Sequence, residues 1–239
     1  AGKVPGVGKD VTARSIKKIG IIGAGTMGGG IAMAFVNGGF DVTVLEMSEE
    51  ALDRGFATIA KNYDISVQRG SLSEEAKAAR LARFSRTTDY ADLGDADLII
   101  EAVFEEMSVK KDVFGKLDKI AKQGAILATN TSYLDVNEIA SFTTRPQDVV
   151  GLHFFSPANV MKLLEIVRGE KTAPDVLATA LAVGKKIKKV PVVVGVCHGF
   201  VGNRMLGARG DDLEPLLLEG ASAEQIDKVF NDFGFPMGP

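Results

Sequence analysis

The chain has 239 residues, a hydrophobic fraction of 46%, a charged fraction of 25% and a formal net charge of −3. That balance suits a sizeable core and gives no electrostatic reason to bind nucleic acid or an anionic membrane surface. A single cysteine, Cys197, excludes an internal disulfide, and no apolar run approaches the ~18 residues expected of a membrane-spanning helix.

Residues 1–15 are rich in glycine and poor in periodic apolar residues, and they read as a linker within a longer polypeptide. Lys18–Ile22 then reads as a short buried strand. It leads into Gly23-Ala24-Gly25-Thr26-Met27-Gly28 and a helix marked by Ile31, Ala32, Ala34 and Phe35. A second apolar strand (Val42, Val44, Leu45) closes on Glu46. Strand, glycine turn, helix, strand and acid in this order form a dinucleotide-binding fingerprint. Gly23 allows the tight turn, Gly25 lets backbone approach a pyrophosphate, and Gly28 lets helix and strand pack closely. The N–H groups of the first helical turn, at Thr26 and Met27, face the phosphates. Glu46 can accept hydrogen bonds from a ribose 2′-hydroxyl and would repel a 2′-phosphate, so NAD is favoured over NADP. A plain charge at the start of the next helix is the competing reading, and it suits Glu49 and Glu50 better than Glu46.

A long helix follows through Leu52, Phe56 and Ile59, and Ser71-Leu72-Ser73-Glu74 has capping-box spacing for another. Strands are expected at 84–86, 98–103, 125–129, 149–153, 163–167 and 190–194. Helices are expected at 107–121, 136–140 and 174–187, the last with Pro174 in its first turn. Alternating strands and helices predict an α/β, doubly wound, mostly parallel Rossmann-type sheet over residues 16–200. From 201 to 239 the pattern is helical only, the beginning of an incomplete all-helical domain.

In such a sheet, ligands lie beyond the carboxyl ends of the strands. Asn130, Ser132, Glu105 and His153 fall there, whereas His198 falls in a turn before the helical region. His153 is the candidate general base for oxidising an alcohol. Glu165, an acid inside the apolar run Leu163–Val167, is its candidate partner. An outward-facing residue in an alternating strand is the plainer account of Glu165, and turn or cap roles are the plainer account of Asn130 and Ser132.

Together with the glycine turn, the motifs Glu101-Ala102-Val103-Phe104-Glu105, Asn130-Thr131-Ser132, His153-Phe154-Phe155-Ser156-Pro157, Gly199-Phe200-Val201-Gly202-Asn203-Arg204 and Gly234–Pro239 resemble the L-3-hydroxyacyl-CoA dehydrogenases of fatty acid β-oxidation. The chain looks most like the dehydrogenase part of a multifunctional enzyme, with an enoyl-CoA hydratase domain preceding it. The resemblance implies NAD as cofactor, a 3-hydroxyacyl-CoA as substrate, and no metal. It implies His153 as general base with Glu165 as partner, and Ser132 and Asn203 at the substrate's C3 oxygen and thioester. Glu105, Lys110, Asn130 and Ser156 fall on the cofactor side, and Asn62 and Arg69 where coenzyme A contacts lie. It also implies a cytoplasmic location in a bacterium or a peroxisomal one in a eukaryote, and it leaves dimerisation open. Gly207-Ala208-Arg209-Gly210 departs from the family's smoother helix. Two rival readings remain at this point: a 3-hydroxyacid dehydrogenase using Lys162 or Lys110 as its catalytic group, and a nucleotide-binding module without turnover.

Overall fold

Among the described residues, apolar runs too short for helices and bounded by glycine or polar turns form eight strands. A computed structural model describes residues 4–8 and 10–239; residues 1–3 and 9 of the expected linker lie outside the described residues. The chain divides into one unit spanning 1–197 and another spanning 198–239.

In the first unit, β1 (Lys18–Ile22), α1 (Thr26–Asn37), β2 (Asp41–Leu45), α2 (Glu49–Gln68), α3 (Glu74–Leu81), β3 (Phe84–Thr87) and β4 (Leu98–Glu101) form the first half. The second half is α4 (Met107–Ile120), β5 (Ile126–Thr129), α5 (Val136–Ser141), β6 (Val149–Phe154), β7 (Leu163–Arg168), α6 (Pro174–Lys186) and β8 (Val190–Gly195). They make one sheet in the order β3-β2-β1-β4-β5-β6-β7-β8. Strands from β3 to β6 are parallel. β7 runs antiparallel to β6, and β8 runs parallel to β7. Chain order reverses beside β1, which opens a crevice past the carboxyl ends of β1 and β4.

Both faces of the sheet are covered. Ile19, Ile21, Phe35, Ile100, Leu152 and Leu177 pack on one side, and Ile22, Ile99, Phe114, Leu117, Leu127 and Ile139 on the other. Residues that alternate along a strand supply opposite faces, so strands buried on both sides read as continuous apolar runs. The described part of the expected linker is fastened to this unit: Arg14 pairs with Asp148 and Asp175 at 2.8 Å each, and Arg168 donates to the Pro5 carbonyl.

Two glycines fix the first turn. Gly23 sits at φ +102°, and a Cβ there would lie 2.7 Å from the Ala102 carbonyl oxygen. A Cβ on Gly28 would lie 1.8 Å from the Gly23 carbonyl oxygen, so the helix is pressed against the turn as well as against Ile21 of the strand. Gly28→Ala should therefore displace the turn, destabilising the domain by about 1–3 kcal/mol and weakening NADH binding, as read by urea unfolding and fluorescence titration.

The helix starts are set by serines. Ser48 caps α2 by accepting from Ala51 N–H. One expectation is corrected at α3. Its cap is Ser73, which accepts from Ala76 N–H, while Ser71 donates to the Ser66 carbonyl; with Ala76 at the third helical position no reciprocal box forms. A complete capping box occurs instead in the second unit, between Ser222 and Gln225 at the start of α8 (Ala223–Phe233). Before it, α7 (Gly202–Leu218) runs unbroken through Gly207 and Gly210 and holds Pro215 in its interior. Among the described residues of these two helices only Ile226 is buried.

Candidate active site

The glycine turn delivers the start of α1 to the crevice with no acidic residue in its first turn and no side-chain cap. The first N–H groups of a helix lack intrahelical partners and carry partial positive charge. A Cβ at Gly25 would meet nothing within 4 Å, so backbone faces open space there. The adjoining cavity, about 560 Å³, is lined by Gly23, Gly25, Thr26, Met27 and Glu46 on one side and by Tyr90, Val103, Phe104 and Val113 on the other. Backbone N–H groups for phosphates, an acid for ribose and an apolar slot for a flat base fit a dinucleotide. Glu46 is half-buried. Its Oε1 accepts from Ala24 N–H at 2.8 Å and its Oε2 from Met47 N–H at 2.9 Å, which fixes the carboxylate against the turn. Removing it by Glu46→Ala should narrow the preference for NADH over NADPH by at least ~10-fold, checked by titrating both nucleotides.

At the next strand ends lies a buried polar chain that only partly matches the sequence reading. Glu101, ending β4, is fully buried. It accepts from Lys110 Nζ at 2.6 Å, Thr129 Oγ1 at 2.8 Å and Val103 N–H at 2.7 Å. Lys110, expected on the cofactor side, is 1% exposed inside α4, with Glu105 Oε2 a further 3.8 Å neighbour and the carbonyl of Val103, which lines the dinucleotide cavity, 3.3 Å away. Its ammonium is committed to two carboxylates, which also removes it as a catalytic lysine. Glu105 in turn accepts from Thr131 Oγ1 and from the N–H groups of Ser132 (2.8 Å) and Tyr133 (3.0 Å). Burial pushes the Glu105 carboxyl upward, but these hydrogen bonds and the Lys110 charge outweigh it, and the group titrates below the usual carboxylate range. Glu105 thereby holds the loop that presents Ser132. From the sequence, Glu101, Thr129 and Thr131 stand only within motifs or at a strand end and carry no assigned role. The signal for Glu101 was there, an acid ending the apolar run Leu98-Ile99-Ile100, the same kind of signal that marked Glu165.

β6 and β7 carry the second constellation. Their antiparallel register places His153 directly opposite Glu165. His153 Nδ1 and Glu165 Oε2 are 2.7 Å apart, and the residues are 3% and 1% exposed. The flanking Leu164 and Ile166 are buried too, so the outward-facing account of Glu165 does not hold. An ionised carboxylate only accepts, so Nδ1 carries the hydrogen and Nε2 bears the ring's lone pair. Phe155 lies against the imidazole at a centroid distance of 4.5 Å. Asn130 Oδ1 accepts from Phe154 N–H at 2.9 Å and ties the end of β5 to the end of β6 beside the histidine.

The remaining expected residues are dispersed. Ser156 is exposed in the turn after β6. Asn62 lines a cavity of about 310 Å³ with Gly25, Glu46, Arg54, Pro157 and Asn159, whereas Arg69 is exposed at the end of α2 and outside that lining. Lys162, the other rival lysine, is exposed and borders a different cavity. His198 and Asn203 belong to the second unit, His198 in a turn and Asn203 in the first turn of α7. Among the described residues no helix is long and apolar enough to cross a membrane.

Comparison with known proteins places both units in one family. Residues 18–197 match the NAD-binding domain of 3-hydroxyacyl-CoA dehydrogenase, and residues 199–239 match the C-terminal domain of the same family. The peroxisomal bifunctional enzyme of Cavia porcellus is 44% identical over 97% of this chain, which covers 32% of that protein. The chain thus spans about a third of the length of the curated relatives it matches. Among solved structures, (S)-3-hydroxybutyryl-CoA dehydrogenase from Ralstonia eutropha is 37% identical with a TM-score of 0.91, covering 94% of this chain and 80% of that one. The dehydrogenase part of multifunctional enzyme 1 from C. elegans is 37% identical with a TM-score of 0.78, covering 100% and 56% respectively. With its NAD-binding domain matched over nearly the whole first unit, the chain belongs to the 3-hydroxyacyl-CoA dehydrogenase family.

Proposed function

We propose that the chain is the dehydrogenase portion of a larger fatty acid β-oxidation enzyme and oxidises an L-3-hydroxyacyl-CoA to the 3-ketoacyl-CoA. The observation that carries this reading is the buried His153–Glu165 pair at 2.7 Å, at the ligand end of a sheet that also holds the dinucleotide fingerprint. Bound NAD supplies the acceptor for the two electrons leaving C3. His153 Nε2 takes the hydroxyl proton, and Glu165 holds the tautomer and stabilises the imidazolium that results. Ser132, presented by Glu105, supplies a hydrogen bond to the C3 oxygen. Glu46 holds the ribose hydroxyls, and the start of α1 holds the pyrophosphate.

The curated relatives are multifunctional or bifunctional proteins named for the peroxisome or the glyoxysome. We place a hydratase domain in the same polypeptide and a peroxisomal location for a eukaryotic source on that basis, with the cytoplasm the counterpart in a bacterium. The test is turnover of acetoacetyl-CoA with NADH, run beside a direct NADH-binding titration. Binding and turnover together support the reading. Binding with no turnover, in a form that includes the complete C-terminal domain, would leave a nucleotide-binding module instead.

A further inference from the structure

The segment 155–162 joins β6, which ends just past His153, to β7, which carries Glu165. Its backbone makes one coil, in which the Pro157 carbonyl accepts from the N–H groups of Val160 and Met161 at 2.9 Å each. Phe155, at its start, is the ring that lies against the imidazole. Ala158, in its middle, is fully buried beside α1. A Cβ added to Gly30 of that helix would stand 3.1 Å from the Ala158 Cβ and 3.2 Å from its nitrogen, so a glycine is what lets the segment come this close. The segment thus touches the imidazole at one point and the helix of the dinucleotide turn at another.

Lys189, just before β8, closes this junction from behind. It is buried, and its Nζ donates to the carbonyls of Ala158 at 2.5 Å and Met161 at 2.6 Å. The next residue, Val190, donates its N–H to the Lys162 carbonyl at 2.7 Å. The end of α6 aims the lysine. Lys188 N–H donates to the Lys185 carbonyl and Lys189 N–H to the Gly184 carbonyl, a paired helix stop whose left-handed place, usual for glycine, is taken by Lys188 at φ 60°. Among the described residues no carboxylate pairs with Lys189, and burial pushes its ammonium below the usual lysine range. A buried cation without a counter-ion is costly, and a methionine would fill much the same space without that cost. What the methionine could not do is hold two carbonyls of the segment at once.

We propose that Lys189 is a positioning residue for the dehydrogenase reaction, its ammonium holding segment 155–162 so that the His153 imidazole and the cofactor helix keep one spacing. This rests on the dehydrogenase reading above and extends it to a residue that touches neither substrate nor cofactor. Base and hydride acceptor must meet the same carbon, and a misplacement of about 1 Å between them can cost ~100-fold in rate.

Lys189→Met and Lys189→Arg test it in the enzyme with its complete C-terminal domain, by kcat for 3-hydroxybutyryl-CoA and NAD, NADH titration and thermal melts. Lys189→Met should lower kcat by about 10–100-fold with NADH affinity unchanged. Lys189→Arg should recover part of that loss, because a guanidinium can still donate to both carbonyls and the cavity of about 300 Å³ bordered by Lys189 gives it room. A readout independent of turnover is the proton resonance of the His153 ring in the 239-residue chain, which has only two histidines. Loosening the segment moves Phe155 relative to that ring, so Lys189→Met should shift the resonance and Lys189→Arg should shift it less. If Lys189→Met does not fold, Gly30→Ala pushes the same segment from the α1 side and should lower kcat and shift the resonance in turn. Parent-like kcat in the folded variant overturns the proposal, as does an unmoved His153 resonance or a loss of NADH affinity in parallel with kcat, which would mark general loosening. A parent enzyme that binds NADH without turnover would instead refute the dehydrogenase reading, while the resonance would still report on the clamp.

Discussion

Replacing His153 by Gln should lower kcat for 3-hydroxyacyl-CoA oxidation by about 10²–10⁴-fold, equivalent to ~2.7–5.5 kcal/mol of barrier, with NADH affinity nearly unchanged. In the proposed reading the cofactor's phosphates and ribose meet the glycine turn after β1 and Glu46 after β2, whereas the lost group is on β6. Glu165→Gln should also slow catalysis, by more than ~10-fold, for a reason visible in the geometry. A carboxylate obliges Nδ1 to carry the hydrogen, but an amide can offer its own N–H to Nδ1. That selects the opposite tautomer and puts the hydrogen on Nε2, where the base is needed. The two losses should not multiply, because both act through one proton transfer. Steady-state kinetics of the single and double variants with 3-hydroxybutyryl-CoA and NAD check this. A double variant showing the full product of the two effects would make the residues independent.

The second large effect is on stability. Lys110→Met should cost about 3–5 kcal/mol, because it strands the Glu101 carboxylate in the interior without its cation. At this chain length the melting temperature should fall by more than ~5 °C. Glu101→Gln combined with Lys110→Met should recover most of the loss. The Gln oxygen can still accept from Val103 N–H, Thr129 keeps a polar neighbour, and no charge remains buried. Comparing the melts of the two variants separates the cost of an unpaired charge from the cost of altered packing. If the double variant were as unstable as Lys110→Met, the lysine would matter for its shape and not for its charge.

Much of the fold was legible because local signals agree. The glycine turn, the apolar strand before it and Glu46 after the second strand each have one structural meaning, and together they locate the crevice. His153 could be placed because a strand end in such a sheet is a ligand position. The direction of β7 was harder to read. Both its faces are buried, so Leu163–Arg168 lacks the alternation that normally betrays orientation. The clue was the segment 155–162, too short to carry a crossover between parallel strands. The acid that Lys110 meets could not be read, because helical periodicity says which face a residue occupies but not whether a charge on that face meets solvent or a buried acid. Glu101 is the missing half of that pair. The cap of α3 was ambiguous because two serines stand within three positions, and only the path of the backbone decides between them. The clamp at Lys189 joins the start of β8 to the segment after β6 and to α1, and no local pattern connects those elements.

Because His153 and Glu165 are cross-strand partners, the chemistry depends on how two strands count against each other. Side chains along a strand alternate between faces, so sliding β7 by a single position would send the carboxylate to the opposite side of the sheet and bring an aliphatic residue opposite the imidazole. Point changes in β7 can adjust volume or polarity without disturbing that correspondence. Adding or removing one residue between Leu163 and Glu165 cannot. Length variation in this lineage should therefore be absent from β7 and fall in the turns outside it, and a scan of single-residue deletions should find chains that still bind NADH yet have lost their base's partner.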